Sequence, residues 1–88
     1  MSILSRLFGG GGGAAKEAAT PEEYDGFAIT PEPIREGSNY RVAALIEKDG
    51  KTHNLVRADT MTDRDEAVRI SLLKARQMID EQGDALFN

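Results

Sequence analysis

The sequence predicts an α+β domain, a three-stranded antiparallel β-meander packed against one C-terminal α-helix, with a flexible N-terminal tail. Three observations support this fold class. Apolar residues alternate with other residues over 39–47, apolar residues recur at helical spacing over 68–79, and five consecutive glycines occupy 9–13. Strands that precede a single helix are most simply joined as a meander, with the helix across one face of the sheet.

The N-terminal residues 1–20 are predicted to be a disordered glycine-rich tail, and residues 21–88 to form the folded domain. Polyglycine is flexible, and the alanine-rich stretch after it is too short to hold a helix in water. On a helix, four apolar residues near the start would share one face: Ile3, Leu4, Leu7 and Phe8. This tip is either a disordered start or a segment that docks weakly on a partner or a membrane surface. Two helical turns bury too little apolar area for stable membrane insertion.

The first strand of the meander is predicted over residues 27–30. Pro31 and Pro33 follow it and cannot donate hydrogen bonds to a neighbouring strand. We therefore expect this strand to lie at a sheet edge or to end early. Residues 36–39, Glu-Gly-Ser-Asn, then favour a turn into the second strand.

Residues 39–47 and 52–59 are predicted to form a hairpin around Asp49-Gly50, because Asp-Gly tolerates the positive φ angles of a two-residue turn. This loop length predicts a register with four pairs: Ile46 opposite His53, Ala44 opposite Leu55, Val42 opposite Arg57 and Tyr40 opposite Asp59. Arg57 would then reach the edge of the core, which a bulge or a pairing with Asp59 would relieve.

The helix is predicted to begin at Thr62 and Asp63, with Asp63 as its N-cap and Glu66 completing a box-like start. It should run to about Gln82, where Gly83 suits a left-handed stop. Its buried stripe is predicted at helical spacing, with Ser71 and Met78 beside it: Val68, Leu72, Ala75 and Ile79. Leu86 and Phe87 should fold back onto the core.

Composition argues against catalysis. The chain has no cysteine and one histidine, His53, which excludes disulfides, thiolate metal sites, a cysteine nucleophile and a His-pair zinc site. Acidic residues cluster at the two predicted helix ends, and Asp63-Arg64-Asp65 lacks the glycine and distal glutamate of a calcium loop. We therefore expect no enzyme activity and no catalytic, cofactor or metal site, with His53 in a structural role.

Charge disfavours direct contact with nucleic acid. The net charge is −4, and residues 21–88 hold nine basic and fourteen acidic side chains, whereas nucleic-acid domains usually carry a basic excess. With one substantial helix, no helix-turn-helix pair is visible. If the chain does contact DNA, the best candidates are Arg57, Arg69 and Arg76.

A protein partner or a second copy of the chain is the simpler expectation. Ile70 and Leu73 lie away from the predicted buried stripe, either as incidental surface residues or as the centre of a contact. Leu45 and Val56 would lie on the sheet face that the helix leaves open. These four residues are therefore the candidate partner or dimer contacts. The composition is typical of a soluble cytoplasmic protein.

Several segments resemble the HlyU-type transcriptional activator family, and they extend over nearly the whole chain. They are Ser-Arg-Leu-Phe-Gly-Gly at 5–10, Tyr-Asp-Gly-Phe at 24–27, Pro-Glu-Pro-Ile at 31–34, Tyr-Arg-Val-Ala at 40–43, Val-Arg-Ala-Asp-Thr at 56–60 and Asp-Glu-Gln-Gly-Asp-Ala-Leu-Phe at 80–87. The family consists of small bacterial proteins described as activators of haemolysin expression. The resemblance implies a role in transcription.

Two hypotheses follow from these observations together. The first is a transcriptional regulator that acts through protein contacts more than through a basic DNA-reading helix. The second is a non-catalytic interaction module, with homodimerisation as one form, that is unrelated to DNA.

Overall fold

The computed structural model of the protein describes residues 15–16 and 18–87. The predicted tip at residues 3–8 and the glycine run lie outside the described residues, and the boundary near Pro21 stays a prediction. The described elements, in chain order, are β1 (Ala15–Lys16), β2 (Glu22–Tyr24), β3 (Phe27–Pro31), β4 (Ile34–Glu36), β5 (Asn39–Lys48), β6 (Lys51–Met61), α1 (Arg64–Gln82) and a 3₁₀ helix (Gly83–Phe87).

All six strands belong to one antiparallel sheet with β5 at its centre. β6 pairs with one side of β5, while β3 and β4 follow each other along the other side. β2 pairs with β3, and β1 pairs with β4. The α+β class with one C-terminal helix is confirmed.

The predicted count of three strands is wrong. β3 and β4 keep one register along β5, since Ile29 lies opposite Ile46 and Ile34 opposite Arg41. They form a single run interrupted at Pro33. The additional strands β1 and β2 span two and three residues, which is too short for an alternating pattern to identify.

The two prolines are accommodated without loss of bonds to β5. The Ala19 N–H donates to the Pro31 carbonyl at 2.8 Å, whereas the Glu32 N–H donates to Ala43 of β5 at 2.9 Å. Because the N–H and C=O of one strand residue point to the same side, the Pro31 nitrogen faces away from β5. β3 lies between β2 and β5, so the predicted edge position is wrong, while the alternative of an early end is confirmed at Pro31.

The β5–β6 hairpin has the predicted two-residue turn, with Asp49 at φ 53° and Gly50 at φ 79°. Its first part also has the predicted register, including Ile46 opposite His53 and Ala44 opposite Leu55. Beyond it the register shifts between Arg41 and Ala43, so that Tyr40 lies opposite Met61. The predicted pairs of Val42 with Arg57 and Tyr40 with Asp59 are therefore wrong. Because of this irregularity, Arg57 is exposed and its charge is not buried at the edge of the core.

Helix α1 has the predicted ends. The Asp63 side chain accepts a hydrogen bond from the Glu66 N–H at 3.0 Å, and Gly83 follows the last turn with its N–H donating to the Ile79 carbonyl. The position of this end is as predicted, but the predicted left-handed conformation is wrong: Gly83 has φ 53° and ψ −133°, a positive-φ conformation outside the left-handed helical region. Leu86 is buried and the Phe87 ring stacks on Phe27 at a centroid distance of 6.0 Å, as predicted. Neither helix in the described part of the chain combines the length and apolarity of a transmembrane segment.

The buried stripe of α1 is Ala67, Ser71, Ala75 and Ile79. Two members of the predicted stripe, Val68 and Leu72, are only half-buried and flank it. The reason is the close approach of the helix to β5: small side chains fit directly beneath the helix axis, and larger ones fill the flanks. The core joins this stripe to the sheet through the buried residues Phe27, Ile29, Ala44, Ile46, Leu55, Ala75, Ile79 and Leu86.

Candidate interaction surfaces

The four predicted partner contacts lie on two different surfaces. Leu45 and Val56 belong to the face of the sheet that points away from α1, because the alternate residues of β5 and β6 belong to the core cluster. Ile70 and Leu73 lie on α1, away from its buried stripe. The structure therefore brings each pair together but separates the two pairs, and one flat contact cannot cover both.

The helix-free face of the sheet, called the open face below, carries small and apolar side chains at its centre together with the polar Thr30 and Asn54, which lie on either side of Leu45. Across its strands, Thr30 lies opposite Leu45 and Ala43 lies opposite Val56. Ala43 is buried, Thr30 and Leu45 are half-buried, and Val56 is 56% exposed. Val56 is the most exposed large apolar side chain of the described residues. The open face therefore presents an apolar patch with Val56 as its most accessible member.

One end of the open face is acidic. Glu23 and Glu47 both lie opposite Ala28, one on each side, so all three side chains point to the open face. A cleft of about 380 Å³ opens at this end, beside the turns at Gly26 and Gly50. Neither carboxylate forms an ion pair with another described residue.

Lys48 also lines this cleft, but its ammonium group contacts residues on the helix side of the sheet. Its Nζ lies 3.1 Å from Asp84 Oδ1 and 4.6 Å from the centre of the Phe27 ring. The sequence-based prediction did not include Glu23 and Glu47. Two signals could have located them: Glu47 alternates with Leu45 on β5, and Asp25-Gly26 is a second Asp-Gly turn like the one at Asp49-Gly50.

The other end of the open face holds a neutralised arginine. Arg41 donates to both carboxylate oxygens of Glu36 at 2.8 Å, and also to the Arg57 and Ala58 carbonyls at 3.2 and 3.3 Å. The hydrogen bonds from Arg41 lower the pKa of Glu36, and the carboxylate raises the pKa of Arg41. This pair fastens the irregular part of β6 to β4 and β5, and it leaves the open face without an unpaired cation from Arg41.

The second surface is the outer side of α1. Leu73 is 39% exposed and Ile70 is half-buried. Nearby on the helix, Arg69 forms an ion pair with Glu66, whose pKa the Arg69 hydrogen bonds lower. Leu73 is less exposed than Val56 of the open face, and Arg69 and Glu66 beside it neutralise each other.

The three arginines predicted as nucleic-acid contacts do not form one cationic surface. Arg69 is paired with Glu66 on the helix. Arg76 is paired with Glu22 of β2 and lies 6.0 Å from the centre of the Tyr24 ring. Arg57 lies on β6, a different element, and is exposed.

The acidic residues near the helix ends take part in local contacts. Asp63 caps α1, Asp80 accepts a hydrogen bond from the Tyr24 hydroxyl at 2.7 Å, and Asp84 pairs with Lys48. His53 is half-buried opposite Ile46. Within residues 18–87, no group of three or more histidine and acidic side chains is placed to hold a metal ion. The expectation of no enzyme activity stays a prediction.

The sequence was compared with protein-family models, curated proteins and solved structures. No curated protein and no solved structure matches the chain. The family model described as "Transcriptional activator HlyU" matches residues 2–87, in agreement with the resemblance noted in the sequence. The chain therefore belongs to the HlyU family of transcriptional activators.

Proposed function

We propose that the protein regulates transcription through contacts with another protein, rather than by placing its helix in a DNA groove. Membership of the HlyU family supports the role in transcription. The observation that carries the protein-contact mechanism is the charge of α1. The helix holds four basic side chains, Arg64, Arg69, Lys74 and Arg76, and four acidic ones, Asp65, Glu66, Asp80 and Glu81.

A helix with balanced charge is poorly suited to read DNA, because neutralisation of phosphates supplies most of the affinity of DNA-binding domains. Arg69 and Arg76 are also engaged with Glu66 and Glu22, so a phosphate would have to displace a carboxylate from each. The overall net charge of −4 adds repulsion at a distance. A regulator of this kind would act in the compartment that holds the DNA, in line with the predicted cytoplasmic location.

Direct DNA binding is tested by fluorescence anisotropy of a labelled random-sequence duplex over a salt series, with the full chain and two variants. One variant carries Arg57→Gln, Arg69→Gln and Arg76→Gln. The matched control, with the same change in charge, carries Arg35→Gln, Lys51→Gln and Lys74→Gln. We expect no salt-sensitive binding even at low salt. Binding that the first variant alone weakens by about tenfold or more would establish direct contact through these arginines and overturn the proposal.

A pull-down from cell extract, with and without nuclease treatment, complements this measurement. We expect the captured partner to remain after nuclease treatment, because the contact is between proteins. Loss of all partners with nuclease would identify nucleic acid as the bridge and count against the proposal.

The second candidate function is an interaction module with no connection to DNA, in the form of a homodimer. The exposure of Leu73 on α1 favours it. Sedimentation at high concentration tests it: a dimer that Leu73→Asp dissociates supports this function. A monomer whose sedimentation is unaffected by Leu73→Asp removes the dimer through this surface.

A further inference from the structure

We propose that the open face binds a basic, amphipathic segment of a partner protein. In this arrangement the apolar side chains of the segment cover Leu45 and Val56, and its cations meet Glu23 and Glu47. The inference rests on the proposed function in that it locates the protein contact and states the chemistry of the partner.

The apolar centre of the open face is the first argument. The solvated face of an antiparallel sheet usually carries polar side chains that alternate with the core residues. Here the 56% exposed Val56 lies opposite the buried Ala43, and the half-buried Leu45 lies in the next row between Thr30 and Asn54. Apolar residues grouped at the centre of an exposed face, with charged residues at its rim, are typical of a surface that binds another protein.

The charged residues at the two ends of the open face indicate the charge of the partner. Glu23 and Glu47 have no ion-pair partner among the described residues, and Arg41 at the opposite end is already neutralised by Glu36. The end of the open face that holds Glu23 and Glu47 is therefore acidic. Complementary potentials favour association and like charges oppose it, so a basic segment is the matching occupant.

The same charges disfavour a second copy of the chain in this position. If two open faces packed together, Glu23 and Glu47 of one copy would meet either the carboxylates of the other or its neutral Arg41–Glu36 pair. Neither those carboxylates nor the neutralised Arg41 provides a free cation for Glu23 and Glu47, which have no ion-pair partner among the described residues. An acidic segment of another protein is disfavoured for the same reason.

The distance between the acidic end and the apolar part of the open face predicts how charged and apolar side chains are spaced in the partner. Glu47 and Ala43 are four residues apart on β5, which corresponds to about 13 Å along a strand. In a helical segment that distance spans about nine residues at ~1.5 Å per residue. The partner should therefore carry a cationic end and an apolar end about 13 Å apart on one side.

Two synthetic peptides probe this inference. They share one pattern of leucines, and the polar positions are all lysine in the first and all glutamate in the second. Binding to the full-length chain is measured by fluorescence anisotropy, and the contact is mapped by amide chemical shifts. We expect the Leu/Lys peptide to bind and the Leu/Glu peptide not to bind. The shifts should be confined to β3, β5 and β6.

Matched variants separate the open face from the rest of the surface. On the open face they are Val56→Thr and the pair Glu23→Gln with Glu47→Gln. The controls on the helix side are Leu73→Thr, a loss of an exposed apolar side chain, and the pair Asp65→Asn with Glu81→Gln, which removes the same number of charges from exposed positions. We expect the open-face variants to bind the Leu/Lys peptide about three- to tenfold more weakly than the unmodified chain does. The controls should bind it with unchanged affinity. Thermal unfolding of each variant verifies that it is folded.

Several results would overturn the inference. They are absence of binding by the Leu/Lys peptide at about millimolar concentration, equal binding of both peptides, equal weakening by the controls, or shifts located on α1. A full-length dimer that Val56→Thr dissociates would assign the open face to a second copy. Shifts on the open face caused by deletion of residues 1–8 would assign it to the chain's own N-terminal segment. DNA binding through the arginines would overturn the proposed function but leave the peptide result unchanged.

Discussion

Ser71 is a buried polar residue whose hydrogen bonds contribute to the stability of the fold. Its side chain is fully buried beneath α1. The hydroxyl donates to the Ala67 carbonyl at 2.6 Å and accepts from the Ala43 N–H of β5 at 3.1 Å. A buried backbone donor that loses its acceptor costs free energy, so Ser71 joins the helix to the central strand.

Ser71→Ala should lower the free energy of unfolding by about 1–3 kcal/mol, because it leaves the Ala43 N–H without this acceptor. Urea denaturation of the full chain measures the change. Ser38→Ala, in the exposed turn between β4 and β5, is the control and should change stability by less than about 0.5 kcal/mol. Equal effects of the two substitutions would contradict the role assigned to the buried hydroxyl.

Tyr24 offers a second test at the scale of one residue. The hydrogen bond to Asp80 raises the pKa of Tyr24 above its usual value of 10.0, with smaller contributions from burial and from the charges of Asp80 and Asp25. We expect Asp80→Asn to lower the pKa of Tyr24 towards 10.0. The ultraviolet absorbance of tyrosinate measures it, and Tyr24→Phe identifies which of the two tyrosines titrates.

The raised pKa of Tyr24 determines how the stability of the fold changes with pH. Because the pKa of Tyr24 is raised in the folded state, its contribution is complete below the ordinary tyrosine pKa and is lost as pH rises through the folded value. The wild-type chain should therefore lose stability more steeply above about pH 10 than the Asp80→Asn variant. Identical alkaline slopes would show that the hydrogen bond does not persist in solution.

At the scale of elements, the strongest local signals were interpreted correctly. Asp49-Gly50 and the alternation of β5 identified the central hairpin, and Asp63, Glu66 and Gly83 identified both ends of α1. These signals depend on the conformations of only a few neighbouring residues. The strands β1 and β2 were missed because pairing with β4 and β3, rather than their own short sequences, defines them.

The N-cap of α1 supports a prediction at this scale. Asp63→Ala should lower the free energy of unfolding by about 0.5–2 kcal/mol, because the Glu66 N–H loses its side-chain acceptor. Asp65→Ala is the control, since Asp65 lies in the same first turn and is exposed without capping the helix. It should change stability by only a few tenths of a kcal/mol through the helix dipole. Urea denaturation followed by circular dichroism compares the two, and equal losses would contradict the assigned cap.

At the scale of the whole molecule, the segment before Pro21 contributes contacts to the sheet. The Ala19 N–H donates to the Pro31 carbonyl at 2.8 Å, the Arg64 Nη2 donates to the Ala18 carbonyl at 3.4 Å, and β1 pairs with β4. The domain therefore receives hydrogen bonds from residues that the sequence assigned to the tail.

Deletion of residues 1–20 should consequently lower the free energy of unfolding by about 1–3 kcal/mol, the range expected for losing a few hydrogen bonds. Deletion of residues 1–13 is the matched control, because it keeps every contact just named. Thermal and urea unfolding compare the two with the full chain. If both deletions have the same stability, the boundary near Pro21 describes the domain better than these contacts do.

The sequence alone determined the class of the fold, the central hairpin, the limits of α1 and the candidate residues Leu45, Val56, Ile70 and Leu73, because each depends on local spacing or turn chemistry. Only the tertiary structure decided which of them lie together. The sheet separates the two apolar pairs, places Glu23 beside Glu47 across β3, and puts Ser71 rather than Val68 beneath the helix. These relations depend on strand pairing and on the approach of α1 to β5, which arise between segments distant in the chain and so leave no local pattern in it.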